Sequence, residues 1–149
     1  MDSMDRSILR CLSENSRQSA TEISQKVHLS VAAVIERIRK LERNGVIVQY
    51  TIIVDQPKVG NDVAALMEVS LEHPKYYDVF WEMIKDNPSI VACDYLTGDC
   101  DFMLKIRTQS SETLEQLHHT IKNIHGVAGT KTFFVLKELK NGLTAFPEA

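Results

Sequence analysis

Acidic residues and a glycine lie together in the segment TGDCD, where Asp99 and Asp101 follow Gly98. A glycine lets a ligand approach the backbone, and a carboxylate can accept a charge-assisted hydrogen bond from an ammonium group. Thr97 and the exposed N–H groups of such a loop can hold a carboxylate. On these residues alone, the simpler interpretation is a polar hairpin turn whose acids accept from backbone donors. Binding of a small molecule at this loop is the alternative interpretation.

A catalytic or metal site has little support from the remaining side chains. Asp94 could join Asp99 and Asp101 in a magnesium cluster, but no Gly-rich phosphate loop accompanies them. The neighbours His118 and His119 would point about 100° apart on a helix, which is poor geometry for one ion. We predict no catalytic residue, no metal site and no cofactor.

The cysteines indicate a reducing compartment. Cys11, Cys93 and Cys100 are odd in number and lack C-x-x-C spacing, so buried thiols are expected rather than a disulfide or zinc framework. No apolar run approaches the roughly 20 residues that span a bilayer, and MDSMDRS does not have the regions of a signal peptide. We expect a cytoplasmic protein without a membrane partner.

A second group of residues suits contacts with DNA. In the segment 29–45, Val34, Ile38 and Leu41 recur at helical spacing and form an apolar stripe. The opposite face has small residues at its start, which could lie near base edges, and basic residues towards its end, which could reach phosphates. The candidate DNA-binding residues are Thr21, Ser30, Val31, Ala32, Ala33, Glu36, Arg37, Arg39, Lys40 and Arg43. For this segment alone, an ordinary amphipathic helix with a solvated charged face is favoured over a DNA-binding helix.

The preceding residues strengthen the DNA interpretation because they predict a helix-turn-helix. Apolar residues at helical spacing predict a first helix over residues 3–15. Ser19 and Glu22 fit a capping box that begins a short second helix. Ser30 is a good N-cap for the third helix, and Gly45 can end it. The tight turn between the second and third helices has the spacing of this motif.

The distribution of charge agrees with a DNA-binding N-terminal part. The chain has 149 residues, enough for one ordinary domain or two small ones, and a net charge of −3. Residues 1–54 contain eight Lys/Arg and six Asp/Glu, hence +2, so the remainder carries −5. This asymmetry suits a DNA-binding domain on an acidic body, although +2 is a small charge.

After Gly45 the pattern changes from helical to extended. Residues 46–54 are rich in β-branched side chains, which predicts a linking strand, and Pro57 breaks the pattern. We expect a helix-turn-helix domain at 1–45, a linking strand and hinge at 46–61, and a second domain at 62–149.

The second domain alternates between strand and helix patterns. Residues 63–72, 90–97, 102–107 and 130–136 are predicted as strands, with one helix between the first two and another between the last two. The order βαββαβ is that of a ferredoxin-like sandwich. The predicted fold class is therefore α+β, with a helix-turn-helix (winged-helix-like) domain followed by a ferredoxin-like domain.

The pairing of these two domains resembles the Lrp/AsnC family of bacterial and archaeal transcription regulators. The resemblance covers the chain from Met4 to about Leu143 and rests on MDRSILRCL, LSVAAVIERIRKLERNGVIVQYT, TGDCDFMLKI and HGVAGTKTFFVLKELK. Similar proteins have a recognition helix and a Gly-Asp-x-Asp loop of these patterns. His28 departs from the family, which usually has glycine there, and His125 stands where proline is usual. A positive φ at His28 would carry a modest steric cost.

The resemblance implies what the protein does. It implies a regulator that binds double-stranded DNA, forms a homodimer through the body's β-sheet and assembles into an octamer. It also implies a small effector, usually an amino acid, that binds between dimers and changes assembly or DNA binding. The expected effector-binding residues are Leu96, Thr97, Gly98, Asp99, Cys100, Asp101, Thr130 and Thr132. Asp101 is the expected ammonium partner, and the two threonines are weaker candidates from a neighbouring dimer.

Two alternatives stay open beside this regulator. An architectural protein of the same fold would coat or wrap DNA and bind no effector. An amino-acid-sensing subunit of an enzyme complex would not bind duplex DNA tightly. Measured binding of amino acids and of duplex DNA separates the three.

Overall fold

The computed structural model describes residues 1–146, which form two compact units. We call residues 1–53, with which residues 141–146 group, the head, and residues 54–140 the body. The division after Ile53 falls inside the predicted linking strand, and residues 141–146 were expected in the second domain. Residues 147–149 of that predicted domain lie outside the described range.

Three helices build the head, as the sequence predicts. They are α1 (Ser3–Glu14), α2 (Ala20–Val27) and α3 (Val31–Arg43). Ser19 and Glu22 form the predicted capping box of α2, and the Ser30 hydroxyl accepts from the backbone N–H of Ala33 at 3.2 Å. Each helix therefore begins where its N-terminal N–H groups find a side-chain acceptor.

The head buries a small core in which its three helices meet. Ile8, Ile23, Val27 and Val34 pack together, with Ile8, Ile23 and Val34 fully inaccessible to solvent. Met4 of α1 lies outside this core and is exposed. No helix of residues 1–146 is long and apolar enough to cross a membrane.

Residue His28 closes α2 in the left-handed conformation, with φ 55° and ψ 40°. Among residues 1–146 it is the non-glycine residue with a positive φ. The conformation lets the backbone N–H groups of both His28 and Leu29 reach the carbonyl of Ser24. The tight turn before α3 thus requires a φ that a β-carbon disfavours.

The predicted linking strand over residues 46–54 is wrong for the single chain. These residues form no strand, and the side chains of Val48 and Ile52 are 86% and 80% exposed. β-branched residues favour an extended backbone, but a strand also needs a neighbour for its hydrogen bonds. None of the described residues supplies that neighbour.

A four-stranded antiparallel sheet with two helices forms the body. Its elements are β1 (Val63–Leu71), α4 (Tyr77–Ile84), β2 (Ile90–Tyr95), β3 (Phe102–Thr108), α5 (Ser111–Lys122) and β4 (Val127–Phe134). The spatial order is β2-β3-β1-β4, and all three pairings are antiparallel. This order confirms the predicted ferredoxin-like fold.

The body's core lies between the sheet and its helices. Alternate residues of β1 and β3 are buried, as period-two patterning requires, and they pack with Phe80 of α4 and Ile121 of α5. The last strand begins at Val127 instead of the predicted residue 130. Gly126 adopts φ 90° against the Tyr76 ring, and the chain then pairs with β1 at once, through a register shift beside Leu71.

The left-handed turn predicts that His28→Gly stabilises the head. Removing the β-carbon relieves a strain of about 1–2 kcal/mol, and the greater freedom of glycine in the unfolded chain offsets part of the gain. We expect the free energy of unfolding, measured by denaturant titration, to rise by about 0.5–1 kcal/mol. His28→Ala retains the β-carbon and is the control that should show no gain. Equal gains in both variants would contradict the strain.

Candidate functional site

The exposed face of α3 carries the cations that the sequence assigns to DNA. Arg39 and Lys40 are exposed, and neither has an ion-pair partner among residues 1–146. At the start of the same helix, Val31 and Ala32 are exposed and Ala33 is half-buried. A helix with a small-residue N-terminus and free cations near its C-terminus can lie close to a polyanion.

Arg43, a predicted DNA contact on α3, forms an ion pair with Glu36, which is another predicted contact. The Arg43 guanidinium donates to Glu36 at 2.9 Å, and their side chains are 61% and 64% exposed. The hydrogen bond and charge of Arg43 lower the pKa of Glu36. Such a solvated pair contributes little to stability, so Arg43 can exchange this partner for a phosphate at small cost.

Arg37 is oriented differently from the other basic residues of α3. Its Nη1 atom donates to Asp2 at 2.7 Å and to Asp5 at 2.6 Å, on α1 and its N-cap. Asp5 is buried, and burial raises the pKa of its carboxyl, but hydrogen bonds from Arg37 and from the Asp2 N–H outweigh that and lower it overall. Hydrogen bonds from the Asp5 N–H and Arg37 lower the pKa of Asp2.

Two further candidates for DNA contact, Thr21 and Ser30, lie at the N-terminal ends of α2 and α3. Thr21 lies exposed in the first turn of α2, and its carbonyl accepts from the Ser24 hydroxyl at 2.7 Å. The Ser30 hydroxyl is occupied as the N-cap of α3. Both lie where a helix-turn-helix approaches the DNA backbone.

The candidate effector loop joins β2 to β3 and is fixed to β1. Leu96 N–H donates to the Asp101 carbonyl at 2.8 Å, and Asp101 N–H donates to the Val69 carbonyl at 2.9 Å. The Oδ2 atom of Asp101 accepts from Leu71 N–H at 2.6 Å. Asp101 is the residue expected to bind an ammonium group, and one of its carboxylate oxygens therefore already accepts from the backbone at the end of β1.

The middle of this loop is open to solvent. Thr97, Gly98 and Asp99 are exposed, Cys100 is half-buried, and Gly98 has φ 124°. The Asp99 carboxylate makes no hydrogen bond or ion pair within the described part of the chain. Asp99 thus places a negative charge beside Gly98, which has no side chain to cover its backbone.

An aromatic cluster that the sequence analysis did not assign lies at the base of the loop. The rings of Tyr77 and Tyr95 meet edge to face at 5.1 Å, and both contact Phe102. The two tyrosines are 38% and 60% exposed. Nothing in the sequence pattern indicates that Tyr77 of α4 meets Tyr95 at the end of β2.

The two threonines predicted as effector contacts lie elsewhere in the body, beside α5. Thr130 pairs with Val69 and Thr132 with Met67, so both share the helix-covered face of the sheet. The Thr130 hydroxyl and His118 Nε2 form a hydrogen bond of 2.9 Å. Thr132 lines an open groove of about 280 Å³ with Ser111, Leu114, Glu115 and His118. Strand β1 separates these threonines from the loop within one chain.

A helix-turn-helix head with exposed cations on its third helix, followed by a body with an exposed loop, is the arrangement of a DNA-binding transcription regulator. Residues 1–48 match winged helix-turn-helix DNA-binding domains, and residues 64–144 match the Lrp/AsnC ligand binding domain. The chain belongs to the Lrp/AsnC family of transcription regulators.

Relatives agree over almost the whole chain. The transcriptional regulator FL11 of Pyrococcus horikoshii is 37% identical over 94% of this chain and 92% of its own. LrpC of Bacillus subtilis is 35% identical over 95% and 97%, and its solved structure has a TM-score of 0.85. A Neisseria meningitidis transcriptional regulator, solved in complex with L-Met, has a TM-score of 0.92 at 28% identity and covers 97% of this chain and 96% of its own.

The low pKa of Asp5 predicts that acid weakens the head. Its ionised form contributes stability that is complete above the unfolded pKa of about 3.9 and is lost as the pH falls through the lower folded value. At about pH 7, Asp5→Asn should cost about 1.5–3 kcal/mol of unfolding free energy, and this difference should shrink below about pH 4. Glu14→Gln, an exposed change on α1, is the control. A constant difference across the pH range would contradict the ionic contribution.

Proposed function

We propose that this regulator binds duplex DNA through the exposed face of α3 and responds to an amino acid that binds at the body's loop. The observation that carries the DNA proposal is the pair of exposed cations, Arg39 and Lys40, neither of which forms an ion pair among residues 1–146. DNA phosphates would supply ion-pair partners for both. The first turn of α3 then faces base edges, with Thr21, Ser30 and Arg43 reaching the backbone.

The DNA proposal predicts different effects for two substitutions on α3. Lys40→Ala should weaken binding to every sequence and lower the slope of log affinity against log salt by about 1, because one phosphate contact is lost. Ala33→Glu should abolish binding, because it places a bulky charge in the first turn while the fold persists. Fluorescence anisotropy with promoter and unrelated duplexes measures both. Lys122→Ala, an exposed lysine of α5, is the matched control, and parent-like binding by both α3 variants would show that another surface reads DNA.

The effector proposal rests on the exposed loop and its two acids. We propose that the Oδ1 atom of Asp101, which has no hydrogen-bond partner among residues 1–146, accepts from the ligand's ammonium group, and that the charge of the nearby exposed Asp99 adds to the attraction. Backbone N–H groups near Gly98 and the Thr97 hydroxyl hold its carboxylate. The exposed tyrosines at the loop's base provide an apolar wall. A relative solved with L-Met and the matched ligand-binding domain support an amino acid as the class of effector.

We further propose a homodimer that assembles into an octamer, with the effector between dimers. Exposed apolar side chains support this assembly: Ile52 and Ile53 are 80% and 68% exposed, and Phe134 of the edge strand β4 is 54% exposed. Surfaces of this kind gain free energy when a second copy covers them. Thr130 and Thr132 of a neighbouring dimer would then complete the site.

The bond from Leu71 N–H to Asp101 also favours a second candidate, in which the loop is only a well-ordered turn. An architectural DNA-binding protein without an effector would need no more than that. Asp101→Asn distinguishes the two roles, because the amide oxygen can still accept from Leu71 while the charge is lost. Asp101→Ala removes both the acceptor and the charge.

Calorimetry with the twenty amino acids tests the effector directly. If Asp101 binds the ammonium group, Asp101→Asn and Asp101→Ala should both weaken the best ligand about ten- to a hundredfold. Light scattering on the same samples should detect assemblies larger than a monomer. Parent-like binding by Asp101→Asn would assign Asp101 to the turn alone. Failure of the parent to bind any amino acid would favour the architectural protein.

A further inference from the structure

Arg37 forms a closed network with the start of α1. The Asp2 Oδ1 atom accepts from Asp5 N–H at 2.8 Å, and Asp5 Oδ2 accepts from Asp2 N–H at 3.1 Å, which is a capping box. The two remaining carboxylate oxygens, Asp2 Oδ2 and Asp5 Oδ1, both accept from Arg37 Nη1. Each of the four oxygens therefore has a donor, and the same acids begin α1 and hold α3.

The position of Arg37 around α3 agrees with this inward role. At 100° per residue it lies about 60° from Val34, which is fully buried, and about 160° from Arg39. Its side chain is 31% exposed and that of Asp5 is 6% exposed. Arg37 thus lies on the flank of α3 that faces α1, not on the exposed face.

The charge of the network is unfavourable for a phosphate. One guanidinium faces two carboxylates, so the network carries −1 overall, and the Asp2 side chain is 54% exposed. A phosphate that approached Arg37 would meet Asp2 and would compete with two short charge-assisted bonds. The cation is already committed within the head.

We propose that Arg37 is a positioning residue that fixes α3 against α1 in the orientation that DNA binding requires, and that it makes no phosphate contact. This assignment differs from the sequence expectation, which placed Arg37 among the DNA-binding residues. The inference rests on the proposed role of α3 as the helix that reads DNA. Without the network, the small apolar core alone sets the angle between α1 and α3, and α3 samples orientations that do not fit the groove.

The proposal and a phosphate contact predict different results for the same variants. If Arg37 positions α3, Asp5→Asn and Arg37→Gln should each lower DNA affinity about tenfold and leave the salt slope unchanged. Arg37→Lys should recover part of the affinity, because an ammonium group can still reach a carboxylate. If Arg37 binds a phosphate, Arg37→Gln should lower the salt slope by about 1, and Asp5→Asn should retain or increase affinity because it frees the guanidinium.

Fluorescence anisotropy titrations of the full chain at several salt concentrations measure these quantities. They are run where circular dichroism shows each variant to be folded, so a lower affinity cannot arise from unfolding. Glu14→Gln is the control for loss of an α1 carboxylate, and Lys40→Ala is the control for loss of a phosphate contact. Folded variants with parent-like affinity, or a reduced slope for Arg37→Gln, would overturn the proposal. Parent-like binding by Lys40→Ala and Ala33→Glu would instead refute the role of α3 itself.

Discussion

The body depends on β1 as its central strand. β1 pairs with both β3 and β4, and its alternate side chains supply Val63, Ala65, Met67 and Val69 to the core. The same strand determines where the loop lies, because Val69 accepts from the Asp101 N–H and Leu71 donates to the Asp101 carboxylate. A ligand that displaced Asp101 would therefore disturb the end of β1, next to the register shift that β1 makes with β4. The fold thus couples the loop to the edge strand through the hydrogen bonds of β1, one of which is accepted by the Asp101 side chain.

The basic residues of α3 differ in the partners that they have within the head. Arg37 faces α1, Arg43 has an exposed carboxylate partner, and Arg39 and Lys40 form no ion pair within residues 1–146. A buried carboxylate such as Asp5 is costly without donors, and Arg37 supplies one of the two that it has. The net charge of +2 for residues 1–54 thus understates the positive charge available at the exposed face of α3, because two of the balancing carboxylates face Arg37.

Local patterns predicted most of the fold because the elements obey their own periodicities. The capping box at Ser19 specifies a boundary, and the alternation of β1 and the apolar stripe of α3 each specify a buried face. Long-range partners left no such signal. Arg37 lies 32 positions from Asp5. Helical spacing alone does not predict that an arginine next to an apolar stripe will contact a buried carboxylate of another helix. Likewise, the family resemblance indicated Thr130 and Thr132. It did not indicate that His118 lies beside them, because that contact arises from the packing of α5 on β4.

In residues 46–54, the local preference for an extended backbone does not lead to a strand in the single chain. Their β-branched side chains favour an extended backbone, yet they form no strand, and Val48 and Ile52 lie open to water. The first part of the segment is bonded to α3: the N–H groups of Val46 and Ile47 donate to the Leu41 carbonyl at 2.9 and 3.2 Å. The Tyr50 hydroxyl donates to Glu42 on α3 at 2.8 Å, and burial together with that carboxylate raises the pKa of Tyr50 to about 12. A partner strand that paired with residues 46–54 would therefore act on the position of α3 itself, so assembly and DNA recognition would share one element.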